Sequence, residues 1–90
     1  MGAVGDAITK KLEAAFTPDL LNVEDDSARH HGHAGARPGG ETHFNVVIVS
    51  PAFTGLSAVQ RQRVIHAVLV EEFDGPLHAL SVRALAPGEG

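Results

Sequence analysis

Eight consecutive residues constrain the fold more than any others. His43–Ser50 places Phe44, Val46 and Ile48 on one side of an extended chain and Asn45, Val47 and Val49 on the other, with β-branched residues crowding the run. That composition is a strand signal. Apolar residues on both faces put the strand at the centre of a sheet, so other strands must flank it. Pro51 ends it, because proline cannot donate to a ladder.

The flanking elements follow from periodicity. Leu20–Glu24 alternates Leu21 and Val23 with Asn22 and Glu24, a short strand that pairs antiparallel with the central one as its sequence neighbour. Before it, Val4, Ile8, Leu12, Ala15 and Phe16 recur at spacings of three and four, the stripe of a helix over residues 4–16 that Thr17-Pro18 terminates. Phe53-Thr54-Gly55 reads as a tight turn or a single helical turn. Ser57 then stands as an N-cap with Gln60 as its capping-box partner. The helix that follows has Leu56, Val64, Ile65, Val68, Leu69 and Phe73 as its apolar stripe, with Val59, Arg63, His66 and Val70 on the other side, and Asp74-Gly75-Pro76 stops it. Leu77–Leu85 is the last strand, opened by His78. Because a helix carries the chain across the sheet, this strand can lie parallel to the central one. The predicted fold is α+β: a three-stranded mixed sheet with helices packed on one face.

At 90 residues, 43% of them hydrophobic and 20% charged, the chain is one globular domain, expected over 1–87 with a tail at 88–90. With four Phe and no Trp or Tyr, the core must be aliphatic. The expected core residues are Ile8, Leu12, Phe16, Val46, Ile48, Ile65, Leu69, Leu80 and Val82.

The chain has no cysteine, which excludes disulfides, thiol catalysis and any thiolate metal site supplied by this chain alone. Catalysis is poorly served: Asp25 and Asp26 are adjacent and diverge, Ser27, Ser50 and Ser57 all have turn or cap roles available, and no phosphate loop opens a helix. The expectation is a protein that is not an enzyme. No stretch approaches the length of a membrane span, and charged residues interrupt any secretory core near the start. A cytoplasmic, monomeric protein is expected; an organelle protein without its transit peptide would read the same way.

Six histidines are the remaining strong metal ligands. Three lie within four positions, His30, His31 and His33, inside the Gly-rich irregular segment 25–41. A connection of that length is often functional, and residues 28–40 are expected to be mobile in the free chain. A zinc site through His30 and His33 with a third ligand is one reading of the cluster, and a solvated loop is the plainer one. His43 is expected to support the loop, and His66 to be a surface or packing residue.

Asp25-Asp26-Ser27 followed by His30, Glu41-Thr42-His43-Phe44 leading into the strand, Phe53-Thr54-Gly55, Arg61-Gln62-Arg63 and Pro76-Leu77-His78-Ala79-Leu80 come in an order and spacing that resembles the BolA family, from the first helix to Pro87. The resemblance implies the αββααβ, class II KH-like arrangement. It also implies association with a monothiol glutaredoxin and a shared [2Fe–2S] cluster, in iron–sulfur trafficking or iron regulation. The histidine at the start of the last strand, His78 here, would be one ligand. A loop residue, His30 or His33 in this chain, would be the other. Cysteine and glutathione from the partner side would supply the thiolates, and the isolated chain would hold no cofactor. Mixed imidazole and thiolate ligation of that kind raises the reduction potential over all-thiolate clusters.

The alternative function is a DNA-binding transcriptional regulator of the same fold, with Arg61, Arg63 and Arg83, and also Lys10 and Lys11, as basic candidates. Two features weigh against it. Formal net charge is −4, and the turn that corresponds to the nucleic-acid-binding G-x-x-G loop reads Gly55-Leu56-Ser57-Ala58, without its second glycine. The family commonly carries Arg-His-Arg in the long helix, where Gln62 stands here.

Overall fold

A computed structural model describes residues 2–26 and 42–89. The elements run α1 (Ala3–Phe16), β1 (Leu20–Asp25), β2 (His43–Val49), a 3-10 turn (Pro51–Phe53), α2 (Ala58–Val68), α3 (Val70–Asp74) and β3 (Ala79–Leu85). The loop histidines His30, His31 and His33, and the expected mobility of 28–40, lie outside the described residues.

β2 is the central strand, as its two apolar faces require, in a sheet of order β1-β2-β3. β1 pairs antiparallel with it, Val23 opposite Val46. β3 pairs parallel, His43 opposite Ala79 and Val46 opposite Val82. Strand alternation sends Phe44, Val46 and Ile48 toward the helices, where each is at most 1% exposed. Asn45, Val47 and Val49 occupy the other face and are only half-buried.

Ile8 and Leu12 of α1, Ile65 of α2, and Leu69 between α2 and α3 complete the core with those three residues. Phe44, Phe53, Leu77 and Ala86 are buried there too, beyond the set expected, so two aromatic rings join a core expected to be aliphatic. Three expected core residues are half-buried instead. Leu80 and Val82 lie on β3, an edge strand, and Phe16 ends α1 with its ring 5.0 Å from that of Phe53. Ala15 and Val64 are exposed, each one residue around the helix from the side chain that faces inward.

Ser57 accepts from the Gln60 N–H and the Gln60 side chain accepts from the Ser57 N–H, so the expected capping box forms. The expected single helix breaks at Leu69. Its N–H bonds to both Ile65 and His66 carbonyls, and the His66 and Phe73 rings stack across the joint at 4.6 Å. Lys11 ties α1 to α3 through Glu72 at 2.9 Å and Glu71 at 3.0 Å.

Candidate functional site

β3 begins at Ala79, so His78 stands one residue ahead of it rather than opening it. What fixes His78 is its backbone. Buried Leu77 anchors the approach, its N–H bonded to the Glu72 carbonyl. The Thr42 carbonyl then accepts from His78 N–H at 2.8 Å and from Ala79 N–H at 3.1 Å. The imidazole itself is exposed, and among the described residues no hydrogen bond engages its nitrogens. A hydrogen-bonded backbone thus holds an accessible imidazole at one end of the sheet.

Parallel pairing brings a second imidazole to the same end. Because His43 pairs with Ala79, the residue just ahead of β3 lies beside the first residue of β2. The His43 and His78 ring centroids are 6.1 Å apart, with the planes 29° from parallel. His43 Nδ1 lies 2.8 Å from Thr42 Oγ1, and Thr42 is fully buried. A shallow groove runs alongside, lined by Asp26, His43, Asn45, Leu80 and Ser81 among others. The Asp26 N–H bonds to the His43 carbonyl at 2.7 Å, which ties the start of the 27–41 segment to this end of the sheet.

Sequence reasoning gave His43 only a supporting role. The available signal was the topology: once β2 and β3 are parallel, residues that start both strands are neighbours. Among the described residues no three His, Asp or Glu side chains gather into a metal cage. His78 and its surroundings nevertheless fit a shared metal centre, because an accessible imidazole on a fixed backbone can ligate while other donors complete the sphere.

The basic candidates divide differently. Arg61 is turned into the fold: its Nη1 bonds to the Ala84 carbonyl at 3.0 Å, its Nε to the Leu56 carbonyl at 3.1 Å, and its two terminal nitrogens grip Glu89 at 2.6 and 2.9 Å. Glu89, expected in the tail, also accepts from the Ala86 N–H. The Arg61 guanidinium, helped by that N–H, holds the Glu89 carboxyl down to about 2. Gln62, in the place of the family's histidine, donates to the Val82 carbonyl at 3.3 Å. Arg61 and Gln62 thereby cover part of the free edge of β3. Lys11 is committed to Glu71 and Glu72, while Arg63 and Arg83 are exposed.

Fold and site together define a small α+β domain that displays histidine at one end of a mixed sheet. A model of the BolA-like protein family matches residues 12–89, and the chain belongs to that family. It is 47% identical over 89 residues to human BolA-like protein 1, covering 99% of this chain and 62% of that protein, so it spans about three fifths of that relative's length. It is also 47% identical to SufE-like protein 1, chloroplastic/mitochondrial, of Arabidopsis thaliana, covering 99% of this chain and 25% of that protein. The solved BolA domain of SufE1 from Arabidopsis thaliana superposes with a TM-score of 0.90 at 47% identity, covering 100% of this chain and 99% of the other. The solution structure of BolA1 from Mus musculus gives 0.82 at 45%, covering 97% and 68%. Among the described residues no helix is long and apolar enough to cross a membrane.

Proposed function

We propose that this chain is a non-enzymatic partner of a monothiol glutaredoxin, handling a [2Fe–2S] cluster that the two proteins hold together. The observation that carries this reading is the accessible His78 imidazole on a backbone fixed by Thr42 and Leu77. The chain offers imidazole nitrogen and no thiolate. Thiolates must therefore come from the partner, a glutaredoxin cysteine and glutathione. His78 is one ligand, and His30 or His33 the other. His78 presents a nitrogen from a fixed position at the end of the sheet.

The competing reading, a DNA-binding regulator, has less support. Arg61 and Lys11 spend their charge within the chain, and the net charge is −4. Titration with a cluster-loaded glutaredoxin separates the two. A change in visible circular dichroism at stoichiometric addition is expected. An unchanged spectrum, together with a salt-sensitive shift on DNA at physiological ionic strength, would overturn the proposal in favour of the regulator.

A further inference from the structure

We propose that the groove between α2 and the free edge of β3 binds a short acidic segment of a protein partner, one that carries two carboxylates, and that Glu89 closes this groove in the free chain. The groove encloses about 400 Å³ between Ala58, Val82 and Ala84, with Arg61, Arg83 and Glu89 among its polar lining. Apolar walls with a few convergent polar groups are the usual make-up of a binding groove.

Arg61 is the first observation. The Leu56 and Ala84 carbonyls hold its Nε and Nη1, and neither bond depends on Glu89. The fork therefore stays built when the carboxylate leaves. Its side chain is only 12% exposed. A guanidinium fixed in this way takes a carboxylate on two prongs. Glu89 demonstrates the fit, at 2.6 and 2.9 Å.

Arg83 is the second observation. It is exposed, and among the described residues no carboxylate pairs with it. The groove thus carries two guanidinium groups against one carboxylate, in a chain whose net charge is −4. A ligand with two carboxylates matches that excess, one group replacing Glu89 on Arg61 and the other meeting Arg83. A nucleic-acid backbone would meet the same two cations, but the acidic chain as a whole repels it.

The closure is local. Glu89 N–H bonds to the Ala86 carbonyl at 3.1 Å, with Pro87 second in the turn and Gly88 third at φ +85°, the type II pattern. Pro87, Gly88 and Glu89 are all exposed, so this strap can swing away without opening the core. An incoming segment competes with a tethered carboxylate, and its apparent affinity falls with the fraction of chains that are closed.

The test is a titration of the full chain with a capped peptide carrying two glutamates, read from the Nε–H resonances of Arg61 and Arg83. Saturable shifts of both are expected, weakening as sodium chloride is added. Glu89→Gln leaves the carbonyl bonds of Arg61 in place and should tighten binding on the order of ten-fold. Gly88→Ala strains the turn while keeping the carboxylate, and should move the affinity the same way. Combined with Glu89→Gln, Arg61→Lys should lose the fork and that gain. Arg83→Gln in the same background should bind the two-glutamate peptide no better than a one-glutamate peptide. Arg83 is exposed, so this variant carries the test even where Arg61→Lys disturbs the fold. If Glu89→Gln binds no tighter than the parent, or if the peptide moves neither resonance in that variant, the proposal is wrong. A single-stranded oligonucleotide that saturates the same resonances more tightly than the peptide would overturn it in favour of the regulator. His78 stands ahead of the start of β3, and the groove lies along its later half, so neither result touches the cluster spectrum on which the glutaredoxin reading is scored.

Discussion

Replacing Ile48 with alanine probes the register on which the site depends. Ile48 lies on the helix-facing side of the central strand, opposite Leu21 and Ala84, and is fully buried. The substitution removes three carbons, about 2.4 kcal/mol of transfer free energy at ~0.8 per carbon. The cavity left behind brings the total to about 3–4 kcal/mol. A domain of this size has roughly 5–13 kcal/mol in all, so the loss is a large fraction. Urea denaturation reads it: with m about 1 kcal/mol per molar at this length, the midpoint should fall by about 3 M. Val47→Ala is the control, because its neighbouring side chain points to the open face, and about 1 kcal/mol or less is expected. If Val47→Ala costs more than Ile48→Ala, β2 is slipped by one residue. His43 would then no longer face His78 as described.

Three further outcomes follow from local geometry. Ser57→Ala removes the acceptor of the capping box at the start of α2 and should cost about 1 kcal/mol in thermal or urea unfolding. Gly55 has φ +82° and open space around its missing Cβ, so Gly55→Ala should cost roughly 1–2 kcal/mol through the backbone alone, with no repacking visible by NMR. Glu89 has its folded-state pKa lowered from 4.5 to about 2, chiefly by the Arg61 hydrogen bond, so its contribution is present above pH 4.5 and is lost as pH falls toward 2. Glu89→Gln should therefore be less stable than the parent at pH 7, and the gap should close by pH 2; a gap independent of pH would contradict the Arg61 clasp.

The central strand, the antiparallel β1, the parallel β3 and the Ser57 cap were legible because each rests on local chemistry: alternation, chain order, and a hydroxyl three residues before a glutamine. The break between α2 and α3 was not. The apolar spacing runs through Leu69 unbroken, and the joint depends on tertiary contacts such as the His66–Phe73 stack. Arg61 looked like a surface cation because its partners, Glu89 and the Leu56 and Ala84 carbonyls, are set by where β3 and the chain beyond it return. His78 was legible as a site residue through family resemblance. His43 as its neighbour was not, because only the parallel register joins positions 35 residues apart in sequence.

The most direct test of the central claim is the visible absorption and circular dichroism spectrum of the mixed cluster complex formed by His78→Ala with a [2Fe–2S]-loaded monothiol glutaredoxin. The exposed ring contributes little packing, so the variant should keep the far-ultraviolet spectrum of the parent. The spectrum of the mixed cluster should disappear and that of the glutaredoxin's own cluster remain, even where the two proteins still associate. A His78→Ala variant that forms the mixed complex with the parent's spectrum would show that His78 is not a ligand.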